Sequence, residues 1–348
     1  MYSSLLKAFN RTSVQRLRNT PNFIRAHTFH SSAPAMSLKV VLGTMTFPSK
    51  VSLEETKEIL NNFKASGEDY DEADTALIYG SGEVEKILGK AGFDGLEMAC
   101  KANPSEGGLS REVVKAQLTT SLSSLQAQQC DIFYLHQPDH CVPILDTLKG
   151  VDDCHQAGLF TRFGLSNFAA WEVVEIYYLC KAHGFILPSV YQGMYNCVTR
   201  MIEPELIPAL RHLGMSFYAY NPLAGGVLTG RYNIDDNVPG GRFDKDTPWG
   251  RIYRQRFWYP EFFKQLDRYR AECEKANVTQ ADAAIRWVVH HSQLKRELGD
   301  AIIIGGSSAH HIQTNLDACR MGPLPASVCE IIDEMEKTLR PTCPRYNR

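Results

Sequence analysis

In Lys39-Val-Val-Leu-Gly-Thr-Met45 a short apolar strand runs into a turn that holds a single glycine. An open dinucleotide-binding sheet would carry a G-x-G-x-x-G turn at this place, opening its first helix. Here the strand ends Leu42-Gly43-Thr44-Met45 without it. Downstream the pattern alternates. Positions 53–65 place Leu53, Thr56, Ile59, Leu60 and Phe63 at helical spacing, with Glu54, Glu55, Lys57 and Glu58 on the other face. A weak polar strand follows into Ala73-Asp74, then strands are expected at 96–100, 131–135, 163–165, 188–191, 216–220 and 301–304. Helices are expected at 84–89, 110–128 (with Ser110 as N-cap), 143–157, 169–183, 203–213, 309–319 and 326–339. Such alternation needs crossover connections and a parallel sheet. Eight units over about 300 residues without the glycine fingerprint favour an α/β fold of the (β/α)8 TIM-barrel type. The stretch 222–260 reads as a long insertion after strand 7, and 326–339 as an extra C-terminal helix.

Composition fits one soluble domain. The chain has 348 residues, 44% hydrophobic and 22% charged, with net charge −2. That balance argues against nucleic acid as the main partner. Apolar runs such as Ile302-Ile303-Ile304 are far too short for a membrane span. The ten cysteines contain no C-x-x-C pair, so a zinc knuckle or a thioredoxin-type site is not expected, and a reducing compartment suits them.

The basic charge is uneven. Lys7, Arg11, Arg16, Arg18 and Arg25 lie in a 35-residue stretch that has no acid. Residues 1–36 therefore read as a mitochondrial transit peptide or a disordered basic tail, set apart from a barrel domain at 37–348. Location in the mitochondrial matrix is the expectation, and Met36 could start a cytosolic form.

Barrel enzymes carry their chemistry at the C-terminal ends of the strands. The expected strand ends are Asp74, Lys101, His136, Ser166-Asn167, Gln192, Tyr220-Asn221-Pro222 and Gly305-Gly306-Ser307-Ser308, with Tyr79 five residues after Asp74. A free phenol is a poor acid near neutrality. An ammonium beside it favours the phenolate, and a carboxylate holds that ammonium charged. Tyr79 with Lys101 and Asp74 is thus a candidate proton donor, and His136 would orient a substrate oxygen. This set has no nucleophile, so the second reactant must come from a cofactor. His136, Asp139 and His140 superficially suggest a metal site, but no ligand set of workable spacing completes it, and no metal is expected.

These residues sit in longer stretches: Asp74-Thr-Ala-Leu-Ile-Tyr79, Cys100-Lys-Ala-Asn-Pro104, Phe133-Tyr-Leu-His-Gln-Pro-Asp-His140, Gly164-Leu-Ser-Asn-Phe168, Val190-Tyr-Gln-Gly-Met-Tyr-Asn196 and Phe217-Tyr-Ala-Tyr-Asn-Pro-Leu-Ala-Gly-Gly226. Through them residues 39–348 resemble the aldo-keto reductase superfamily, most closely its aflatoxin aldehyde/succinic semialdehyde reductase family. The resemblance implies an NADPH-dependent reductase of aldehydes, and of some ketones and dicarbonyls, with catalytic residues Asp74, Tyr79, Lys101 and His136. It implies that Ser166, Asn167 and Gln192 hold the nicotinamide carboxamide and that Tyr220 stacks on its ring. Asn221, Pro222, Leu223, Ala224, Gly225, Gly226, Val227, Leu228, Thr229, Gly230 and Arg231 would form the loop over the pyrophosphate. Arg242, with Ser307, Ser308, His311, Gln313 and Asn315, completes the implied cofactor site, at a helix N-terminus suited to a 2′-phosphate. Met45, His136 and Arg348 match substrate-contacting positions, and the run 254–258 is a further candidate for the pocket rim. The resemblance also allows a homodimer.

Three departures stand out. The strand before Asp74 is unusually polar, a Ser is lost at Val84, and Asn347 replaces a more apolar residue. Two other function classes stay open: a cofactor-binding regulatory or interaction subunit with little catalysis, and a metal-dependent barrel hydrolase.

Overall fold

Period-two alternation gives each strand of this protein two buried faces. A computed structural model describes residues 38–47, 51–67 and 70–348. The expected targeting segment at 1–36, and Glu68 and Asp69 of the polar stretch, lie outside these residues. The strands are β1 (Lys39–Gly43), β2 (Glu72–Asp74), β3 (Glu97–Ala102), β4 (Cys130–Leu135), β5 (Phe160–Ser166), β6 (Pro188–Met194), β7 (Ser216–Tyr220) and β8 (Ala301–Ile304). All pair in parallel, in chain order, and β8 closes on β1. The expected TIM barrel is therefore the fold. Val41, Ala99, Ile132, Tyr134, Val190 and Ile303 pack together inside the barrel. Their neighbours Leu42, Cys100, Phe133, Tyr191 and Ile302 face the helices.

The helices follow the apolar spacing closely. α1 (Leu53–Lys64) buries Thr56, Ile59, Leu60 and Phe63, and its N-cap Ser52 accepts from Glu55 N at 3.2 Å. α2 is Glu83–Ala91, α3 Arg111–Leu125, α4 Ile144–Gln156, α5 Ala170–His183 and α6 Leu206–Leu213. Two helix ends differ from expectation by three residues. α3 stops at Leu125 because Gln126 turns left-handed at φ 56°, and Ser110 makes no side-chain cap. Asp146 Oδ2 instead accepts from Arg111 N at 3.0 Å. α6 starts three residues late, since Pro204 disfavours a helical Glu203.

The larger correction lies between β7 and β8. Spacing alone bounds no helix there, yet α7 (Pro248–Phe257), α8 (Pro260–Lys275) and α9 (Gln280–His290) fill it. Proline opens α7 and α8 at positions where its missing N–H costs nothing. Phe257 and Trp258 pack this insertion: Trp258 meets Phe243 at a tilt and Phe263 edge-on, and its indole N–H donates to Ile234 O at 2.7 Å. α10 (Ala309–Arg320) and α11 (Ala326–Leu339) complete the chain, α11 with the expected bounds.

The polarity of β2 has a physical reason. Glu72 faces the barrel interior at the N-terminal end of the strands, 1% exposed. Lys39 Nζ lies 3.1 Å and Arg162 Nη2 2.9 Å from its Oε2, and Tyr218 donates to it at 3.2 Å. Glu72, Glu97 and Asp131 form a carboxylate trio among the described residues, into which Arg162 already projects its guanidinium.

A second buried acid, Glu85 on α2, is fully enclosed, and among the described residues neither oxygen makes a hydrogen bond of good geometry. α2 and α3 approach closely here: a Cβ on Gly89 would lie 2.4 Å from Ser124 O. Burial pushes the Glu85 carboxyl from 4.5 up to about 7, against the smaller opposing pulls of Ser121 and Lys101. A carboxyl raised in the folded state costs nothing below its ordinary value and costs increasingly as pH climbs to the raised one. The penalty is roughly 3 kcal/mol above pH 7. Glu85→Gln should therefore raise the melting temperature at pH 8 and leave it nearly unchanged at pH 5. Equal shifts at both pH values would contradict the burial argument.

Candidate active site

The C-terminal strand ends bring Asp74, Lys101, His136, Ser166, Asn167, Gln192 and Tyr220 to one rim, as expected. At its centre is a buried ion pair. Lys101 Nζ lies 2.5 Å from Asp74 Oδ1 and donates to Thr75 O at 2.6 Å, with side-chain exposures of 0% and 5% for the pair. Gln192 Nε2 donates to Asp74 Oδ2 at 2.8 Å, so both carboxylate oxygens are engaged.

Tyr79 opens a short turn, Tyr79–Gly82, in which Gly80 and Ser81 are left-handed. The turn aims the ring back over the pair, with Lys101 Nζ 5.1 Å from the ring centroid. One expectation is corrected here. The ammonium was expected to pull the phenol's pKa down, yet burial, then Asp74 and Tyr253, push it well above its ordinary value of 10.0, against the weaker pulls of Arg242 and Arg348. Lys101 spends its charge on Asp74, and the phenol stays protonated.

His136 follows β4, and its ring meets the Tyr79 ring edge-on, centroids 5.9 Å apart. Burial, Lys101 and Arg348 all lower its pKa well below 6.5, so the imidazole is neutral at physiological pH. Asn103 Nδ2 lies 3.2 Å from its Nδ1. The other two members of the apparent metal trio turn elsewhere: Asp139 accepts from Leu109 N and Cys141 N, and His140 pairs with Glu172.

The implied cofactor residues divide into groups. Asn167 sits at φ 63°; its Nδ2 bonds Ser166 Oγ at 2.9 Å and His136 O at 2.8 Å, and its Oδ1 accepts from Tyr220 OH at 2.8 Å. After β7, Asn221, Ala224, Gly225, Gly226 and Gly230 are all left-handed, which folds 221–230 into tight turns with Asn221 Oδ1 accepting from Gly225 N. The two central glycines differ. A Cβ on Gly225 would strike the Tyr253 ring at 2.5 Å, whereas Gly226 meets only the Arg231 guanidinium, at 3.4 Å. Gly225 thus serves packing, and Gly226 leaves backbone accessible beside a cation.

Arg231 lies over the Tyr232 ring, and burial, then Arg231, lower the pKa of His311, so the loop after β7 adjoins the start of α10. Arg242 contacts Met45 Sδ at 3.3 Å and lies over Tyr253. Neither arginine has an acidic partner among the described residues. At α10 the N-cap Ser308 accepts from His311 N, Ser307 bonds His311 Nδ1, and Asn315 holds Gly305 O. Glu55 takes the Ala309 N–H at 3.0 Å, and Gln313 bonds Asp317 along the helix rather than a neighbour in the loop.

The C-terminal tail crosses the rim. Arg348 N donates to Asn167 O at 3.0 Å, and its guanidinium donates to Gln137 Oε1 at 3.0 Å. Tyr346 OH pins the tail by accepting from Ala170 N and donating to Glu205. In the run 254–258, Arg254 is committed to Phe243 O and Asp236 O, while Arg256 faces a cavity of about 380 Å³ that Ile252, Thr342, Pro344 and Arg345 also line. Asn103, Gln137 and Tyr253 were not foreseen. Asn103 had a readable signal, because it shares the period-two parity of Lys101.

The model of the aldo/keto reductase family matches residues 39–337. Aflatoxin B1 aldehyde reductase member 2 of Rattus norvegicus is 43% identical over 322 residues, covering 88% of this chain and 87% of that protein. The Homo sapiens protein of the same name is 41% identical over 363 aligned positions and covers 100% of both chains. Aflatoxin B1 aldehyde reductase member 4 of Homo sapiens is 42% identical over 320 residues, covering 88% of this chain and 96% of that protein.

Proposed function

This chain belongs to the aldo/keto reductase family of oxidoreductases, and from that premise we propose that it reduces aldehydes to alcohols with NADPH, using Tyr79 as proton donor. The observation that carries the reading is the buried Asp74–Lys101 pair beneath a protonated phenol. Names of relatives that are aldehyde reductases support the substrate class.

The residues fit a dinucleotide. Arg231 and Arg242 are cations without acidic partners among the described residues, Gly226 offers open backbone, and Asn167 and Gln192 present amides at the rim. Ser166, Asn167, Gln192 and Tyr220 would hold the nicotinamide end, 221–231 the pyrophosphate, and Arg242 with the start of α10 the adenosine end. When bound, the reduced nicotinamide supplies a hydride to the carbonyl carbon. His136 donates a hydrogen bond to the carbonyl oxygen and orients it. Tyr79 passes its hydroxyl proton to that oxygen as negative charge develops there, and Lys101 stabilises the phenolate left behind. Asp74 holds the Lys101 side chain in place. Arg348, anchored through Gln137 and Asn167, would meet a carboxylate on the substrate, and Met45, in contact with Arg242, would line the entry.

Purified protein given NADPH with 4-nitrobenzaldehyde, and separately with succinic semialdehyde, should consume one NADPH for each alcohol formed. Tight NADPH binding without turnover of any aldehyde would favour the regulatory subunit instead. We also propose that residues 1–36 direct the chain to the mitochondrial matrix, on their acid-free basic composition. Imaging of the full chain beside one lacking those residues tests this, and identical cytosolic patterns would refute it.

A further inference from the structure

We propose that Asn103 is a positioning residue that fixes the tautomer of His136, placing its one ring hydrogen on Nε2. The chemistry of the donors carries this. Asn103 follows β3, 4% exposed, and caps the short turn Pro104–Glu106. Ser105 N donates to Asn103 Oδ1 at 3.0 Å, and Ser105 Oγ donates to the same oxygen at 2.7 Å. A backbone N–H can only donate, so the atom facing it must be the amide oxygen. The amide nitrogen is therefore the atom 3.2 Å from His136 Nδ1. An amide NH2 can only donate as well, so Nδ1 must accept and carry no hydrogen. The neutral ring then holds its hydrogen on Nε2, the nitrogen turned away from Asn103.

Gln117 on α3 locks the arrangement. Its Oε1 accepts from Asn103 N at 2.8 Å, and its Nε2 donates to Asn103 O at 3.0 Å. The backbone on both sides of the Asn103 side chain is thus held by a neighbouring helix. The charged and titratable groups facing the ring are Lys101, Arg348 and Tyr79. None of them accepts a hydrogen bond from Nδ1 among the described residues. The consequence for turnover rests on the reading above: a carbonyl oxygen meets an N–H rather than a lone pair.

Asn103→Asp is the discriminating change. Aspartate caps a turn as well as asparagine does, but it accepts where the amide donates. It should draw the hydrogen to Nδ1 and leave Nε2 with a lone pair toward the substrate. Nitrogen NMR of full-length protein carrying labelled histidine, with His136 assigned by its loss in His136→Gln, reads the tautomer without cofactor or substrate. In the parent protein His136 should show a bare Nδ1 and a protonated Nε2, and in Asn103→Asp the reverse. At pH 8 kcat for an aldehyde should fall about 100-fold in that variant, the size of a lost donor to developing negative charge. It should recover as pH falls, because the added carboxylate lets the ring take a second proton and donate from both nitrogens. NADPH affinity should be unchanged. A parent ring protonated at Nδ1, or an Asn103→Asp enzyme with parental tautomer and pH profile, would overturn the proposal. The expected tautomers in a protein that reduces no aldehyde would support the assignment while refuting the reductase reading.

Discussion

Asp74→Ala is expected to lower folding stability by about 3–5 kcal/mol, the cost of leaving one member of a buried ion pair uncompensated. The size follows from the surroundings. Lys101's side chain is fully buried, its nearest counter-charge is Asp74 at 2.5 Å, and its remaining acceptor is the neutral carbonyl of Thr75. Gln192 would lose its acceptor in the same step. Urea unfolding measures the loss. Adding Lys101→Met to Asp74→Ala should restore much of the stability, because the stranded charge is gone, without restoring turnover. A loss below about 1 kcal/mol in the single variant would mean that the pair is solvated like a surface contact.

How far the chain could be read before its structure differs by element. α1 and α11 were legible because their apolar residues recur at helical spacing, and β8 because its run is wholly apolar. β2 was faint, since its polarity serves a charge network inside the barrel whose partners, Lys39 and Arg162, lie 33 residues before and 90 after Glu72. Such pairing has no local signature. α7 and α8 were missed because Pro, Gly and aromatic residues around 248 and 260 look like loop; their aromatic rings pack on one another instead.

The rim was legible residue by residue, because a polar group closing an apolar strand needs a partner. Its electrostatics were not. The direction of the shift at Tyr79 depends on how deeply the phenol is enclosed and on Lys101 being engaged by Asp74, neither of which follows from spacing. Asn103 shares the parity of Lys101 and so could have been placed at the rim, but its role, like that of Gln137, has no chemical mark until its neighbours are known.

Tyr79→Phe tests the proton donor most directly. The change removes one oxygen and keeps the ring that His136 and Lys101 face. Cofactor binding should survive, since Tyr79 is not among the residues assigned to hold the dinucleotide. A positioned general acid contributes about 10²–10⁴-fold, so kcat/KM should fall by that factor. Burial that keeps the phenol protonated makes it the available donor at neutral pH, and neutral His136 is a much weaker acid than an imidazolium. The measurement is single-turnover reduction of 4-nitrobenzaldehyde by the preformed NADPH complex of each protein, with cofactor affinity taken from quenching of its fluorescence. Unchanged affinity with reduction slowed at least about 100-fold is the predicted result; reduction at the parental rate by Tyr79→Phe would contradict it.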